Sequence, residues 1–147
     1  MKLLFSFLFL AFLPGKPTWL NNFDEAKKLA KEKHEYILLN FSGSDWCIPC
    51  IKMHTEIFDT DDFLKYANDH LVMVNADFPR LRKNKLSPEQ EKRNDALADR
   101  YNPKGNFPYT LLLDADGKVI KSWEGFYEQG TRAFIQEIQS VVIYKSE

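Results

Sequence analysis

The sequence predicts an α/β fold: a central mixed sheet of four to five strands with helices on both faces, ending in a β-hairpin and a helix. Three observations carry this. The nearly continuous apolar runs at residues 36–41 and 71–76 suit strands covered on both sides. Stretches of helical period with N-cap signals lie around and between them. Late in the chain, Asp116-Gly117 separates two short strand-like runs, and a last helical pattern follows.

In order, Asn22 precedes Phe23, Ala26, Leu29 and Ala30 on one helical face, with Asp24 and Glu25 in the first turn; this predicts a capped helix ending near Lys33. The strand at 36–41 runs into the loop Ser42-Gly43-Ser44-Asp45. A helix is expected from Cys47 to about Phe58, and a shorter one over 61–69 capped by Thr60 or Asp61. The second strand occupies 71–76, followed by the polar and basic stretch 77–86. Ser87-Pro88-Glu89-Gln90 is a helix start, with Ser at the cap, Pro first and Gln third, and that helix should run to about Tyr101. Residues 110–114 and 119–123 form strands joined by a two-residue turn at Asp116-Gly117, and this hairpin supplies one antiparallel pair. Gly130 or Thr131 opens the last helix, which carries Phe134, Ile135, Ile138 and Val142 on one face.

The 147 residues fit one domain, and an aromatic content of 14% supplies enough apolar area for a packed core. With 20 basic and 21 acidic residues the net charge is -1, which gives no footprint for a nucleic acid. Arg80, Arg82, Lys83 and Lys85 form a local basic run that reads as a solvated loop. At the N-terminus Lys2 is followed by an apolar run over 3–13, broken only by Ser6, and then by Pro14-Gly15-Lys16-Pro17. A basic start, a short apolar run and a breaker make up an export signal. As a helix the run would rise roughly 16 Å, about half a bilayer's hydrocarbon core, so no stable membrane span is expected. Residues 1–15 are therefore set aside as a signal segment, and 16–147 as the folded domain of an exported protein.

The two cysteines, Cys47 and Cys50, stand three apart at a strand-to-helix junction. A thiol at a helix N-terminus meets unpaired N–H groups and the positive end of the helix dipole, which favour thiolate. Cys47 can then attack a disulfide, and Cys50, one turn on, can resolve the mixed disulfide by attacking Cys47. Pro49 needs no N–H in a first turn and holds the pair rigid. A tetrahedral zinc site needs four ligands, whereas there is no second Cys-x-x-Cys and His34, His54 and His70 are scattered. His54, four residues past Cys50, shares its helical face and reads as a surface or half-buried histidine. A purely structural disulfide would close a very small loop and gain little. Neither a metal nor a cofactor is expected.

The stretch Tyr-Ile-Leu-Leu-Asn-Phe-Ser-Gly-Ser-Asp-Trp-Cys-Ile-Pro-Cys, residues 36–50, resembles the active-site strand and helix of the thioredoxin superfamily. Phe107-Pro108-Tyr109-Thr110-Leu111-Leu112-Leu113-Asp114-Ala115-Asp116-Gly117-Lys118 resembles that family's cis-Pro loop and hairpin, so the likeness covers about residues 18–143. The insert over 77–101 and the N-terminal segment are more similar to exported bacterial, periplasmic members than to the short cytosolic type. The resemblance implies a thiol–disulfide oxidoreductase, a reductant or isomerase-like helper, acting as a monomer on protein thiols and disulfides and recharged by an upstream redox partner. It assigns attack to Cys47, resolution to Cys50, a flanking contact to Trp46, a cis bond to Pro108, and strand-like pairing with substrate to the backbone of Phe107. Trp46 reads equally well as packing against the domain edge.

Two departures from the family pattern stand out. Asn40 occupies the place of a buried Asp held to manage the resolving cysteine's proton; Asn has none to titrate, which leaves that role to water, Asp45 or another carboxylate. Ile48-Pro49 replaces the usual Gly-Pro and adds apolar bulk at the rim. Two other classes predict different behaviour: a non-catalytic peptide-binding module would tolerate loss of Cys47, and a metal-binding module would purify with zinc or copper.

Overall fold

The computed structural model describes residues 17–143, so the apolar segment assigned to export lies outside the described residues. Four strands, β1 (Tyr36–Ser42), β2 (Leu71–Asp77), β3 (Tyr109–Leu113) and β4 (Val119–Glu124), form one sheet in the order β2-β1-β3-β4. β1 runs parallel to β2, while both β1–β3 and β3–β4 are antiparallel. The single antiparallel pair expected from sequence is thus two, because the hairpin enters the sheet through β3 lying against β1. A one-residue bridge from Leu20 to Val74 extends the outer side of β2, with Leu20 N–H donating to Met73 O at 2.8 Å and Asn75 N–H to Leu20 O at 2.9 Å.

Five helices cover the sheet: α1 (Phe23–Lys33), α2 (Ile48–Met53), α3 (Asp61–His70), α4 (Pro88–Tyr101) and α5 (Thr131–Ile143). Strand side chains alternate between two cores. Ile37, Leu39 and Phe41 join Val72, Val74, Ala76, Leu111 and Leu113 beneath α1 and α4, which contribute Phe23, Ala26, Ala30, Leu97 and Tyr101. On the other face Leu38, Met73, Leu112 and Trp123 meet Met53, Phe58, Phe63, Ala67, Phe134 and Ile138. Both faces of β1 are therefore dry, which explains its unbroken apolar run. Each fully buried Phe or Leu here contributes about 1.5–3 kcal/mol.

Local signals set the boundaries. Asn22 caps α1 by accepting from the Asp24 and Glu25 amides, and His34 ends it in the left-handed region at φ 56°. Ser87 accepts from Gln90 N–H at 3.2 Å to open α4. Two local expectations are corrected. The helix expected over 47–58 is α-helical only to Met53 and closes in a π turn over His54–Phe58, with Asp59 N–H donating to His54 O at 2.8 Å. The wider turn lets the adjacent Ile57 and Phe58 both enter the core. The hairpin turn is not two residues: Asp114 Oδ1 accepts from the Asp116 and Lys118 amides, Gly117 N–H donates to Asp114 O, and Gly117 takes φ +87°. This is a three-residue loop, Ala115-Asp116-Gly117, with the left-handed residue last.

Helix α5 is tied to the hairpin through Glu137, whose carboxylate accepts from Trp123 Nε1 (2.8 Å) and Tyr127 OH (2.7 Å) and pairs with Lys121 at 2.8 Å. These bonds, that of Lys121 first, hold the carboxyl down at about 2, while burial and the bond to Glu137 push the Tyr127 phenol up to about 12. A carboxylate with a depressed folded pKa stabilises the protein above its ordinary value of 4.5 and loses that contribution as pH falls toward about 2. The group is 38% exposed, so screening limits its worth to about 1–2 kcal/mol. Glu137→Gln should lower urea stability by that amount at neutral pH, and the gap to wild type should close as the titration is repeated through pH 4.5 to about 2. A gap independent of pH would assign the loss to packing instead.

Candidate active site

Strand β1 delivers the chain to the edge of the sheet at Ser42, paired with Asp77 of β2. A tight turn follows in which Gly43 O accepts from Trp46 N–H (3.3 Å) and Cys47 N–H (2.9 Å). Two carboxylates pin this loop to the insert. Asp77 accepts from the backbone N–H and hydroxyl of Ser44. Asp45 accepts from Arg80 N–H (2.9 Å), Leu81 N–H (3.0 Å) and Asn84 Nδ2 (2.9 Å). The bonds from the Arg80 amide and the Asn84 side chain hold the Asp45 carboxyl below the usual carboxylate range. Asp45 is thus engaged in closing the insert onto the motif loop.

Cys47 is the N-cap of α2, with extended backbone, and its Sγ accepts from Cys50 N–H at 3.3 Å. The structure holds the oxidised pair, with an S–S bond of 2.08 Å and Cα atoms 5.2 Å apart. Pro49 lies in the first turn. Cys47 is 4% exposed and Cys50 0%, whereas Ile48 between them is 71% exposed. The pair is asymmetric: Cys47 keeps a little exposure, Cys50 keeps none, and the apolar Ile48 between them projects into solvent.

The rim is aromatic. Trp46 donates from Nε1 to Phe78 O (2.7 Å), meets the Phe107 ring edge-on at 5.5 Å, and carries the Arg80 guanidinium 3.7 Å over its own ring. Phe107 also packs on Phe78 at 5.5 Å. The Phe107–Pro108 peptide bond is cis, immediately before β3, and Pro108 is buried. Since β3 begins opposite Phe41 near the end of β1, this loop and the cysteine loop share one edge of the sheet. Arg80 belongs to the run that reads in sequence as solvated; its side chain is exposed, yet it is stacked on the residue next to Cys47.

A polar cluster lies within the core. Asn40, 0% exposed, accepts from Thr110 Oγ1 (3.0 Å) and donates to Asn75 Oδ1 (3.0 Å), and its Nδ2 stands 3.4 Å from His54 Nε2. Trp19 and Phe58 enclose the imidazole at 5.3 and 5.2 Å. Burial pushes the His54 pKa below its ordinary value, and the charges of Asp59 and Asp77 offset part of that. Nothing local in the sequence marks Asn75 or Thr110, whereas the i+4 spacing of His54 from Cys50 is a signal that the sequence carries. Among the described residues no group of three or more His, Cys, Asp or Glu is arranged to hold a metal.

Comparison with known proteins agrees with this geometry. The family model described as "Thioredoxin-like domain" matches residues 23–139. The chain is similar to the "Disulfide bond reductase DsbH" of Chlamydia pneumoniae, with 37% identity over 121 residues, covering 82% of this chain and 70% of that protein. Among solved structures, "DsbH Oxidoreductase" superposes with a TM-score of 0.77 at 35% identity, covering 86% of this chain and 85% of the other. A thioredoxin from Thermus thermophilus gives a TM-score of 0.61 at 18% identity, covering 88% and 89%, which is a likeness of fold alone.

Proposed function

The chain belongs to the thioredoxin-like domain family, and from that premise we propose that it is a thiol–disulfide oxidoreductase working as a reductant or isomerase-like helper on protein disulfides. The observation that carries the reading is the asymmetric pair: Cys47 caps a helix with an amide aimed at its sulfur, and Cys50 lies buried one turn behind. In the reducing direction the Cys47 thiolate attacks a substrate disulfide; a Cys47–substrate bond forms and the other substrate sulfur leaves as thiolate. Cys50 then attacks Cys47 Sγ, the Cys47–Cys50 bond forms, the Cys47–substrate bond breaks and the second substrate sulfur leaves as thiolate, so that the substrate disulfide has taken up two electrons in all. The Cys50 N–H that reaches Cys47 Sγ is placed to stabilise the thiolate in the reduced state.

In this reading Trp46, Phe107 and Pro108 form the floor on which an extended substrate segment lies, with exposed Ile48 as an apolar contact. Pro49 supports the pair from the first turn, and Asn40, buried in the strand that leads to the motif loop, is the supporting polar residue in this reading. An upstream dithiol partner would return electrons to the oxidised pair. Residues 1–15 would direct export to a bacterial periplasm and 16–147 would form the working domain; no helix among the described residues is long and apolar enough to cross a membrane.

Insulin reduction driven by dithiothreitol, run beside redox titration of the Cys47–Cys50 pair, tests the reading. Accelerated precipitation of insulin and one two-electron transition are expected. Absence of both would overturn it, and a potential near that of the strong oxidant DsbA, about -120 mV, would reverse the assigned direction.

A further inference from the structure

The insert after β2 is held against the motif loop by its backbone, and its cations take no part in the closure. Asp45 commits both carboxylate oxygens to the Arg80 and Leu81 amides and to Asn84 Nδ2, and Asp77 takes the amide and hydroxyl of Ser44. Arg80, Arg82, Lys83 and Lys85 are all exposed, and none of the ion pairs among the described residues includes any of them. The acids that join the two loops thus fix the insert without neutralising it.

Arg80 differs from the other three in being held. Its guanidinium carbon lies 3.7 Å from the centre of the Trp46 ring, and its own N–H is bonded to Asp45 Oδ1. The indole that carries it is fixed in turn by Phe78 O and by the edge of Phe107. A guanidinium already stacked on a fixed ring loses little side-chain freedom when it binds a partner. Among the described residues no acceptor is bonded to its side-chain N–H groups. Trp46 directly precedes Cys47, so a preorganised positive charge stands at the rim of the redox pair. The whole chain has a net charge of -1, so any attraction for anions is local to this rim.

Resting on the oxidoreductase reading, we propose that Arg80 is a specificity-determining residue that receives a carboxylate from the substrate segment lying across Trp46. The protein then reduces disulfides flanked by Asp or Glu in preference to those flanked by Lys or Arg. A planar fork of N–H groups matches a carboxylate with two parallel hydrogen bonds, and the same charge repels a cationic neighbour of the target cysteine. Arg82, Lys83 and Lys85 extend the positive field along the insert and steer acidic segments toward the rim. The floor of Trp46 and Phe107 takes an extended chain, and a side-chain carboxylate is the anion such a chain carries. The exchange at sulfur is the one already described; Arg80 governs which disulfide is held for it.

The test uses disulfide-linked dimers of one short unstructured peptide, made with either Glu or Lys beside the cysteine. Reduced protein is mixed with each in stopped flow, and each rate is divided by that of free dithiothreitol with the same peptide, which cancels intrinsic reactivity. Wild type at low salt should favour the Glu peptide about fivefold, the effect of one pair of unit charges about 4 Å apart in water. In roughly 1 M salt, where the screening length is about 3 Å, the preference should fall toward one. Arg80→Glu should invert it, and Arg80→Lys, which keeps the charge but not the fork, should retain part of it. Lys118→Glu makes the same change in net charge beyond the hairpin turn, at the opposite end of β3 from Pro108, and should leave the wild-type preference in place. A wild type without preference at low salt would overturn the assignment, and that measurement needs no variant to fold. So would a preference that survives Arg80→Glu, or one that Lys118→Glu shifts as far. A reduced protein that reacts with neither peptide would overturn the oxidoreductase reading itself, an outcome distinct from reaction with both at equal rates.

Discussion

Cys50→Ala is expected to convert the protein into a trap. Its Cys47 still attacks, but with no second thiol the substrate remains attached, and non-reducing gels should show a higher-mass adduct that dithiothreitol releases. Cys47→Ala should reduce insulin no faster than dithiothreitol alone and form no adduct. The contrast follows from the geometry, since only Cys47 reaches the surface boundary and Cys50 is enclosed. Neither loss can be ascribed to unfolding. A disulfide between residues three apart contributes about 2 kcal/mol by chain entropy, against a typical total of about 5–15 kcal/mol. A peptide-binding module would give the opposite result, with full function in both variants.

The second large effect is expected at Gly43. A Cβ built there lies well under 3.0 Å from the indole atoms Cε2, Cζ2 and Nε1 of Trp46. The cause is space, since Gly43 is not among the glycines with positive φ. The indole cannot withdraw freely: its N–H is bonded to Phe78 O, Phe107 meets its edge, and Arg80 covers its face. Gly43→Ala must therefore break the Trp46 bond or shift the loop that carries Cys47. A stability loss of about 2–3 kcal/mol is expected from overpacking together with one lost, partly buried hydrogen bond. Insulin reduction should fall with it, because the displaced residue adjoins Cys47. Urea midpoints and tryptophan fluorescence measure both; a change below about 0.5 kcal/mol would show that the loop adjusts without strain.

Much of this fold is legible along the chain because its signals are local. The Asn22 and Ser87 caps, the apolar run of β1 and the spacing of Phe134 and Ile138 on α5 each depend on residues within a turn or two. Where the reading departs from the structure, a distant partner intervenes. Gln90, third in its helix, turns its side chain away from the cap to bond Asn21 O and Asn94. The second antiparallel pair arises from β3 meeting β1, some seventy residues apart in sequence, as do Asn40 and Thr110. The π turn depends on what Ile57 and Phe58 must fill. The cysteine pair was readable because helix geometry alone places its members together. The polar cluster around Asn40 was not, because Asn40, Asn75, Thr110 and His54 come from four separate segments.

The Leu20 bridge bears on solubility. A sheet of four strands has two open margins, and each is a template onto which another chain can add. At the β2 margin Leu20 occupies the Met73 carbonyl and the Asn75 amide, which caps the ladder at its middle. At the opposite margin β4 carries Lys121 and Glu124, charges that an incoming strand would have to desolvate. A single residue on one side and two charges on the other thus oppose edge-to-edge polymerisation.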